Sequence, residues 1–119
     1  MKKLHRTLIA LTTVVASAAA LADVNIGVSL SLTGPGSGLG IPMQNYYKIF
    51  PQTIAGEKVN LIILDDASDP GKGASNARRF VTEDKVDLII GSCLTPLAAA
   101  MVDLPAEPNT VHFTASPVA

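Results

Sequence analysis

From residue 23 onward, short apolar stretches alternate with longer segments of mixed polarity, and this alternation predicts strands and helices in turn. The stretch VNIGVSLSL predicts a strand at Val24–Leu32. Three further runs predict strands at Val59–Leu64, Val86–Ile90 and Val111–Thr114. The runs LIIL and DLII are almost continuously apolar, which is typical of strands covered on both faces.

The segments between these strands carry apolar residues at helical spacing. A first helix is predicted at Ile41–Ile54, with Pro42 in its first turn, where a missing N–H costs little. A second helix is expected to begin with Asp69 as N-cap and Pro70 as its first residue. A third is predicted at Pro96–Leu104. The residues expected to face inward from the second and third helices are Ala74, Ala77, Phe80, Val81, Leu97, Ala100, Met101 and Leu104.

The predicted order is β-α-β-α-β-α-β with short connections. It indicates an α/β fold, a doubly wound parallel sheet with flanking helices on both faces. Such sheets bind ligands beyond the carboxyl ends of their strands. We therefore expect any binding chemistry in four loops, Thr33–Gly40, Asp65–Asp69, Gly91–Pro96 and Ala115–Pro117.

The first 22 residues have the pattern of a secretory signal peptide. Basic residues precede an apolar run at positions 7–20, and Ala20-Leu21-Ala22 supplies small residues at the two positions that signal peptidase recognises. The run is shorter than the ~20 residues that a membrane-spanning helix needs. We therefore expect cleavage before Asp23, export to the periplasm, and one small domain at residues 23–119.

Charge and cysteine content narrow the function classes. Three of the nine basic residues lie in the predicted leader, so residues 23–119 carry six basic and ten acidic residues. This balance argues against nucleic acid as a partner, because nucleic-acid binding needs clustered Lys and Arg. Cys93 is the only cysteine and His112 is isolated, so the sequence predicts neither a disulfide framework nor a metal site, and no cofactor.

The glycine-rich loop TGPGSGLG lacks both common phosphate-binding patterns. The dinucleotide fingerprint places glycines at relative positions one, three and six, and the sixth position is Leu39 counted from Gly34 and Ile41 counted from Gly36. A P-loop needs a lysine, and this loop has none. Two interpretations stay open: the loop only needs positive φ angles, or it lets its backbone and Ser37 approach a small ligand.

Polar residues also follow the second and third strands. Asp65, Asp66 and Asp69 could bind Mg²⁺ or accept a phosphoryl group, as in a small flavodoxin-like or receiver-type enzyme, or they form a helix cap and a solvated, hydrogen-bonded turn. Ser92 and Thr95 flank the start of the third helix, where hydroxyl and N–H groups can hold a carboxylate. Either residue could instead be a plain N-cap, and Cys93 has no visible base that would activate it.

These motifs, in this order, resemble the start of periplasmic binding proteins of the branched-chain amino acid (leucine-binding) type, the substrate-binding components of ABC importers. The resemblance covers Val24 to Ser116. It is carried by LTGP with glycines after it, by LDDASDP followed by NAR, by DKVDLIIGS, and by a Thr-Pro that opens a helix.

The resemblance implies a non-enzymatic, two-lobed, hinged fold that closes on a small ligand, either a branched-chain or other amino acid or a related small organic acid. It implies an ABC permease and ATPase in the membrane as partners. Carried over to matching positions, it places ligand contacts at Ser92 and Thr95, at Ala115 and Ser116, and in the stretch from Gly34 to Gly38 that includes Ser37. Cys93 and Leu94 stand where relatives often have Ser or Thr.

The second lobe of that family has no counterpart in these residues, so the resemblance implies that residues 23–119 are the N-terminal part of an incomplete first lobe. Two alternatives stay open beside a solute-binding role. One is the enzyme domain that uses Asp65 and Asp66 with Mg²⁺, and the other is a secreted remnant without function.

Overall fold

Five strands form one sheet in the computed structural model, which describes residues 23–103 and 110–116. The predicted leader, residues 1–22, lies outside the described residues, and so do Leu104 and Pro117. None of the described helices is long and apolar enough to cross a membrane. The elements are β1 Val24–Leu30, α1 Ser37–Tyr47, β2 Thr53–Ile54, β3 Glu57–Asp65, α2 Pro70–Thr82, β4 Leu88–Gly91, α3 Thr95–Val102 and β5 Val111–Thr114.

The strand order is β2-β3-β1-β4-β5. All neighbours pair in parallel except β2, which pairs antiparallel with β3. The chain leaves β1 toward β3 on one side and then crosses to β4 on the other side. The loops after β1 and β4 therefore lead to helices on opposite faces of the sheet. The region between these loops at the carboxyl edge, which we call the crevice, is the position where open α/β sheets bind ligands.

Helices lie on both faces of the sheet, as the continuous apolar strands predict, but one face is covered only in part. Helices α2 and α3 cover one face, whose buried residues are Ala77, Phe80, Val86, Ile89 and Met101. Helix α1 covers part of the other face, whose buried residues are Ile26, Val28, Leu30 and Val59. Phe80 packs directly on Gly27, where an added Cβ would lie 2.6 Å from the ring.

Helix α2 and the strands confirm the sequence-based prediction closely. Asp69 caps α2, its side chain accepts a hydrogen bond from the N–H of Lys72 at 2.8 Å, and Pro70 is the first helical residue. Strands β1, β3, β4 and β5 begin and end within two residues of the predicted positions. Leu97 and Met101 of α3 are buried as expected.

The predicted bounds of the first helix are wrong at both ends. Helix α1 begins at Ser37 inside the predicted glycine loop, so Pro42 lies within the helix rather than in its first turn. The helix ends at Tyr47, and Thr53–Ile54 forms strand β2 instead. The two-residue turn between β2 and β3 has positive φ at Ala55 and Gly56, which is the hairpin geometry that matches strand twist.

Candidate ligand-binding site

The loops after β1, β3 and β4 meet at the carboxyl edge of the sheet. The loop after β1 is held to the loop after β3 by Ser68, whose hydroxyl accepts from the N–H of Gly36 at 2.9 Å and donates to the carbonyl of Thr33 at 2.9 Å. The two chain segments therefore form one rigid wall of the crevice.

Gly34 can only be glycine in this arrangement. Its φ is +77°, and an added Cβ would lie 2.6 Å from the carbonyl oxygen of Ala67. The conformational interpretation of the glycine loop is therefore correct at this position. Ser37, which was expected to approach a ligand, is the first residue of α1, and its N–H donates to the carbonyl of Gly34 at 3.2 Å.

Asp65 organises the loop after β1. Its Oδ1 accepts from the N–H groups of Leu32, Thr33 and Ala67 at 2.9, 3.2 and 2.8 Å, and its Oδ2 accepts from the Thr33 hydroxyl at 2.6 Å. Burial acts to raise the pKa of the Asp65 carboxyl, but the hydrogen bonds from the Thr33 hydroxyl and from the backbone hold that pKa below its usual value.

Asp66 is fully buried, and four donors surround its carboxylate. Oδ1 accepts from the hydroxyl of Ser31 at 2.6 Å and from the N–H of Ser68 at 3.0 Å. Oδ2 accepts from the hydroxyls of Ser92 at 3.0 Å and Ser29 at 3.3 Å. The expectation of a solvated turn is therefore wrong for Asp66, because its donors come from β1, from the residue after β1 and from the end of β4.

The two aspartates also stabilise an unusual backbone. Ala67 and Ser68 both have positive φ, at 51° and 59°, which is uncommon for residues other than glycine. Their N–H groups are the ones that donate to Asp65 and Asp66 respectively. Each aspartate thus closes a turn with the residue two positions further on, and these turns hold Ser68 where it can reach Gly36.

Ser92, Thr95 and Ser116 differ in what their hydroxyls contact. The Ser92 side chain is fully buried and turned to Asp66. The Thr95 and Ser116 hydroxyls lie 2.7 Å apart and form a hydrogen bond between the start of α3 and the segment after β5. Ala115 contributes an N–H to the carbonyl of Gly91 at 2.9 Å.

The N-terminus of α3 lies beside this hydroxyl pair. Its N-cap residue, Leu94, has no side chain that could accept a hydrogen bond, and only the N–H groups of Leu97 and Ala98 turn back to the Leu94 carbonyl. Neither Ser92 nor Thr95 is the N-cap, so the plain-cap interpretation of these two residues is wrong. In the described parts of the four loops there is no Lys, Arg or His. An anionic ligand here would meet only N–H and hydroxyl donors.

The acidic residues do not form a vacant cation site. Every carboxylate oxygen of Asp65 and Asp66 already accepts a protein donor, so a cation would have to displace several hydrogen bonds. Across residues 23–103 and 110–116, no three His, Cys, Asp or Glu side chains gather in a way that could hold a metal ion. The contacts favour a structural role for both aspartates.

Three serines of this site were not predicted from the sequence: Ser29 and Ser31, which are buried, and Ser68, which is half-buried. A signal for the first two was present, because they lie two residues apart in an otherwise apolar strand and so point to the same face. Polar residues on a covered face need a partner. No pattern in the local sequence indicates that Asp66 is this partner.

Residues 23–119 match the profile of a family described as periplasmic binding protein. No match is found among curated proteins. An extracellular ligand-binding receptor from Rhodopseudomonas palustris HaA2 has 44% sequence identity and a TM-score of 0.75, over 80% of this chain and 26% of that one.

Two further solved structures indicate a ligand, one by the protein's name and the other by the molecule that it contains. A leucine binding protein from Thermotoga maritima MSB8 is 32% identical, with a TM-score of 0.60 over 75% of this chain and 27% of that one. A solute binding protein of an ABC transporter from R. palustris BisB5, in complex with 3,4-dihydroxy benzoic acid, is 28% identical, with a TM-score of 0.71 over 79% and 27%. The chain spans about a quarter of the length of the solved structures that it matches.

Proposed function

Because the chain belongs to the periplasmic binding protein family, we propose that it contributes the first-lobe ligand wall of an extracytoplasmic solute-binding protein that serves an ABC importer. The ligand is a small carboxylate, either an amino acid or an aromatic acid. The role is binding without catalysis, and an ABC permease and ATPase in the membrane are the partners.

The observation that carries this proposal is the open N-terminus of α3 beside the Thr95–Ser116 hydroxyl pair. The N-terminus of a helix carries a partial positive charge that favours a carboxylate. In α3 the N–H of Thr95 is the donor at this end, since Pro96 has no N–H and the N–H groups of Leu97 and Ala98 donate to the Leu94 carbonyl. The hydroxyl pair is held at the same edge by two different chain segments. One of its two protons is used in the mutual hydrogen bond, so the pair offers a ligand one O–H donor. The solved relatives support this ligand class, because one is a leucine binding protein and another holds 3,4-dihydroxy benzoic acid.

The ligand class is tested by titrating the ¹⁵N-labelled chain with L-leucine, benzoate and 3,4-dihydroxybenzoate. Leucinamide and benzamide serve as matched controls that lack the carboxylate. We expect amide shifts concentrated in residues 92–98 with at least one acid and none with the amides. Shifts of equal size with the amides, or no shift with any acid, would contradict the proposal.

The contribution of Thr95 is tested by Thr95→Val, which replaces the hydroxyl by a methyl group of similar shape. We expect about tenfold weaker binding, since a hydrogen bond to a charged group is lost. Thr82→Val is the matched control, because Thr82 is exposed at the end of α2 and its hydroxyl bonds only to the Arg78 carbonyl. Equal losses in the two variants would show that Thr95 has no specific role.

Export is tested separately, by N-terminal sequencing of the chain recovered from the periplasm. We propose that it begins at Asp23, after removal of residues 1–22. An intact N-terminus on the recovered chain would contradict this.

A further inference from the structure

Ser92 was expected to touch the ligand, yet its side chain lies inside the protein. It has no exposed surface, and its hydroxyl donates to Asp66 Oδ2 at 3.0 Å. The backbone of Ser92 nevertheless begins the β4–α3 loop, which leads directly to the N-terminus of α3. The buried hydroxyl therefore anchors the loop from below.

Asp66 also holds the loops after β1 and β3. Its Oδ1 accepts from the N–H of Ser68, and the Ser68 hydroxyl in turn holds Gly36 and Thr33. One carboxylate thus connects the loop after β4 to the loops after β1 and β3. These are the loops on both sides of the crevice.

We propose that Asp66 is a positioning residue of the ligand site, and that it acts through Ser92 to fix the N-terminus of α3 relative to the opposite wall of the crevice. The affinity measurement that tests this role rests on the proposed function. Asp66 itself is fully buried and acts only through the residues that it holds.

The four hydrogen-bond donors explain why residue 66 is an aspartate. An ionised carboxyl group has about four acceptor positions, and four protein donors fill them. An apolar residue of similar size would leave the Ser31 and Ser92 hydroxyls and the Ser68 N–H without these acceptors, and Ser29 with only the Asn76 amide as a partner, which is unfavourable for buried groups. A fully satisfied buried network fixes one geometry rather than several.

Ser92 and Ser29 offer a matched pair that separates positioning from stability. Both hydroxyls are fully buried and both donate to Asp66 Oδ2. Ser29 lies within β1, whereas Ser92 begins the β4–α3 loop. We expect both Ser29→Ala and Ser92→Ala to lower the urea midpoint, and Ser29→Ala by at least as much, because it also removes the acceptor of the Asn76 amide. Only Ser92→Ala should weaken binding of L-leucine or benzoate, by about tenfold.

Both affinities are measured well below the unfolding midpoint, so that a lower stability alone does not change the folded fraction. Wild-type affinity in Ser92→Ala, or an equal loss in the two variants, would overturn the positioning role. A shift of the binding curve in Ser92→Ala alone would support it.

A second readout needs no ligand. Asp66→Asn replaces an acceptor oxygen by an NH₂ donor without changing the shape, and Asp69→Asn makes the same change at an exposed helix cap in the same loop. We expect amide hydrogen exchange at residues 92–98 to rise at least about tenfold in Asp66→Asn and to stay unchanged in Asp69→Asn, since the loop loses an anchoring hydrogen bond to a charged group.

Binding and hydrogen exchange together show whether the ligand class or the positioning role of Asp66 is wrong. If no acid binds the wild-type chain, the proposed ligand class is wrong, and exchange at residues 92–98 still decides the positioning role. If exchange rises equally throughout the sheet, Asp66 is only a stabilising residue and the positioning role is overturned. If Asp66→Asn does not fold, the Ser92→Ala and Ser29→Ala pair is compared by the same exchange measurement.

Discussion

Helix α1 lies so close at Gly40 to Ser31, the residue after β1, that the helix cannot accommodate a side chain there. A Cβ added at Gly40 would overlap the backbone oxygen of Ser31 and lie 2.6 Å from its carbonyl carbon. Gly38 lies two residues earlier in the same helix, and a Cβ there would meet nothing within 4 Å. The same Gly→Ala substitution therefore has opposite consequences at two nearly adjacent positions.

The magnitude follows from the geometry. Non-bonded carbon atoms have their best contact at about 3.5 Å or more, so α1 would have to retreat from β1 by about 1 Å. A gap of that size removes about a quarter to a half of the dispersion contact across the interface, and overpacking of this kind typically costs about 1–3 kcal/mol. Alanine gains up to about 1 kcal/mol over glycine in a helix. We expect Gly40→Ala to destabilise by about 1–2 kcal/mol and Gly38→Ala to stabilise by up to about 1 kcal/mol.

Urea unfolding followed by far-ultraviolet circular dichroism measures both changes as shifts of the midpoint at constant slope. The comparison is internal, because both variants add the same methyl group to the same helix. If Gly40→Ala is as stable as Gly38→Ala, Gly40 does not lie against the Ser31 backbone as described.

Three further predictions use the same assay. Asp69→Ala should lose about 1 kcal/mol because it removes the side-chain cap of α2, whereas Asp69→Asn keeps a capping oxygen and should retain wild-type stability. Lys85 is exposed with a φ of 50°, so Lys85→Gly should stabilise by about 0.5–1 kcal/mol, and Lys85→Ala should not. Burial lowers the pKa of His112 in the folded chain. As the pH falls, His112 is therefore protonated in the unfolded chain at a higher pH than in the folded chain. Stability should be fully present above about pH 6.5 and fall as the pH drops from there toward the folded pKa, with a weaker dependence in His112→Gln; equal pH dependence in the two chains would contradict this.

The fold could be predicted from the sequence wherever burial on both faces left a continuous apolar strand. VNLIIL and VDLII are short, almost continuously apolar runs typical of strands in a parallel sheet, and Asp69-Pro70 is a start signal for α2. The bounds of α1 could not be predicted in this way. Gly38 and Gly40 lie inside α1, the latter where only glycine fits against Ser31, whereas glycines in a local pattern predict a loop.

The β2–β3 hairpin was missed for a related reason. Its turn is Ala55-Gly56, and alanine at positive φ is not among the residues that signal a two-residue turn. Ile49 and Ile54 continued the helical spacing of apolar residues, but in the structure they are 79% and 48% exposed. Periodicity alone cannot distinguish an apolar residue that is buried from one that is not.

The candidate site was predicted at the level of loops but not of side chains. The rule that parallel sheets bind ligands at their carboxyl edge predicts which loops lie next to each other there. In the structure Thr95 and Ser116, which are 21 positions apart in the sequence, form a hydrogen bond at this edge. It could not show that Ser92 turns inward, since serine is equally compatible with a buried and an exposed position. The orientation of Ser92 depends on Asp66, which comes from a different strand.

The paired aspartates also explain how an acidic edge could face the anionic ligand that we propose. Two carboxylates beside the crevice would repel a carboxylate if they were presented to it. Asp65 instead accepts three N–H groups and a hydroxyl, and Asp66 is buried under four donors, so each charge is offset by dipoles that point toward it. The same hydrogen bonds hold Ala67 and Ser68 in the left-handed region and bring Ser68 to Gly36. The two carboxylates therefore hold the loops in place through hydrogen bonds. The N-terminus of α3, which has no side-chain cap, carries the partial positive charge at the crevice.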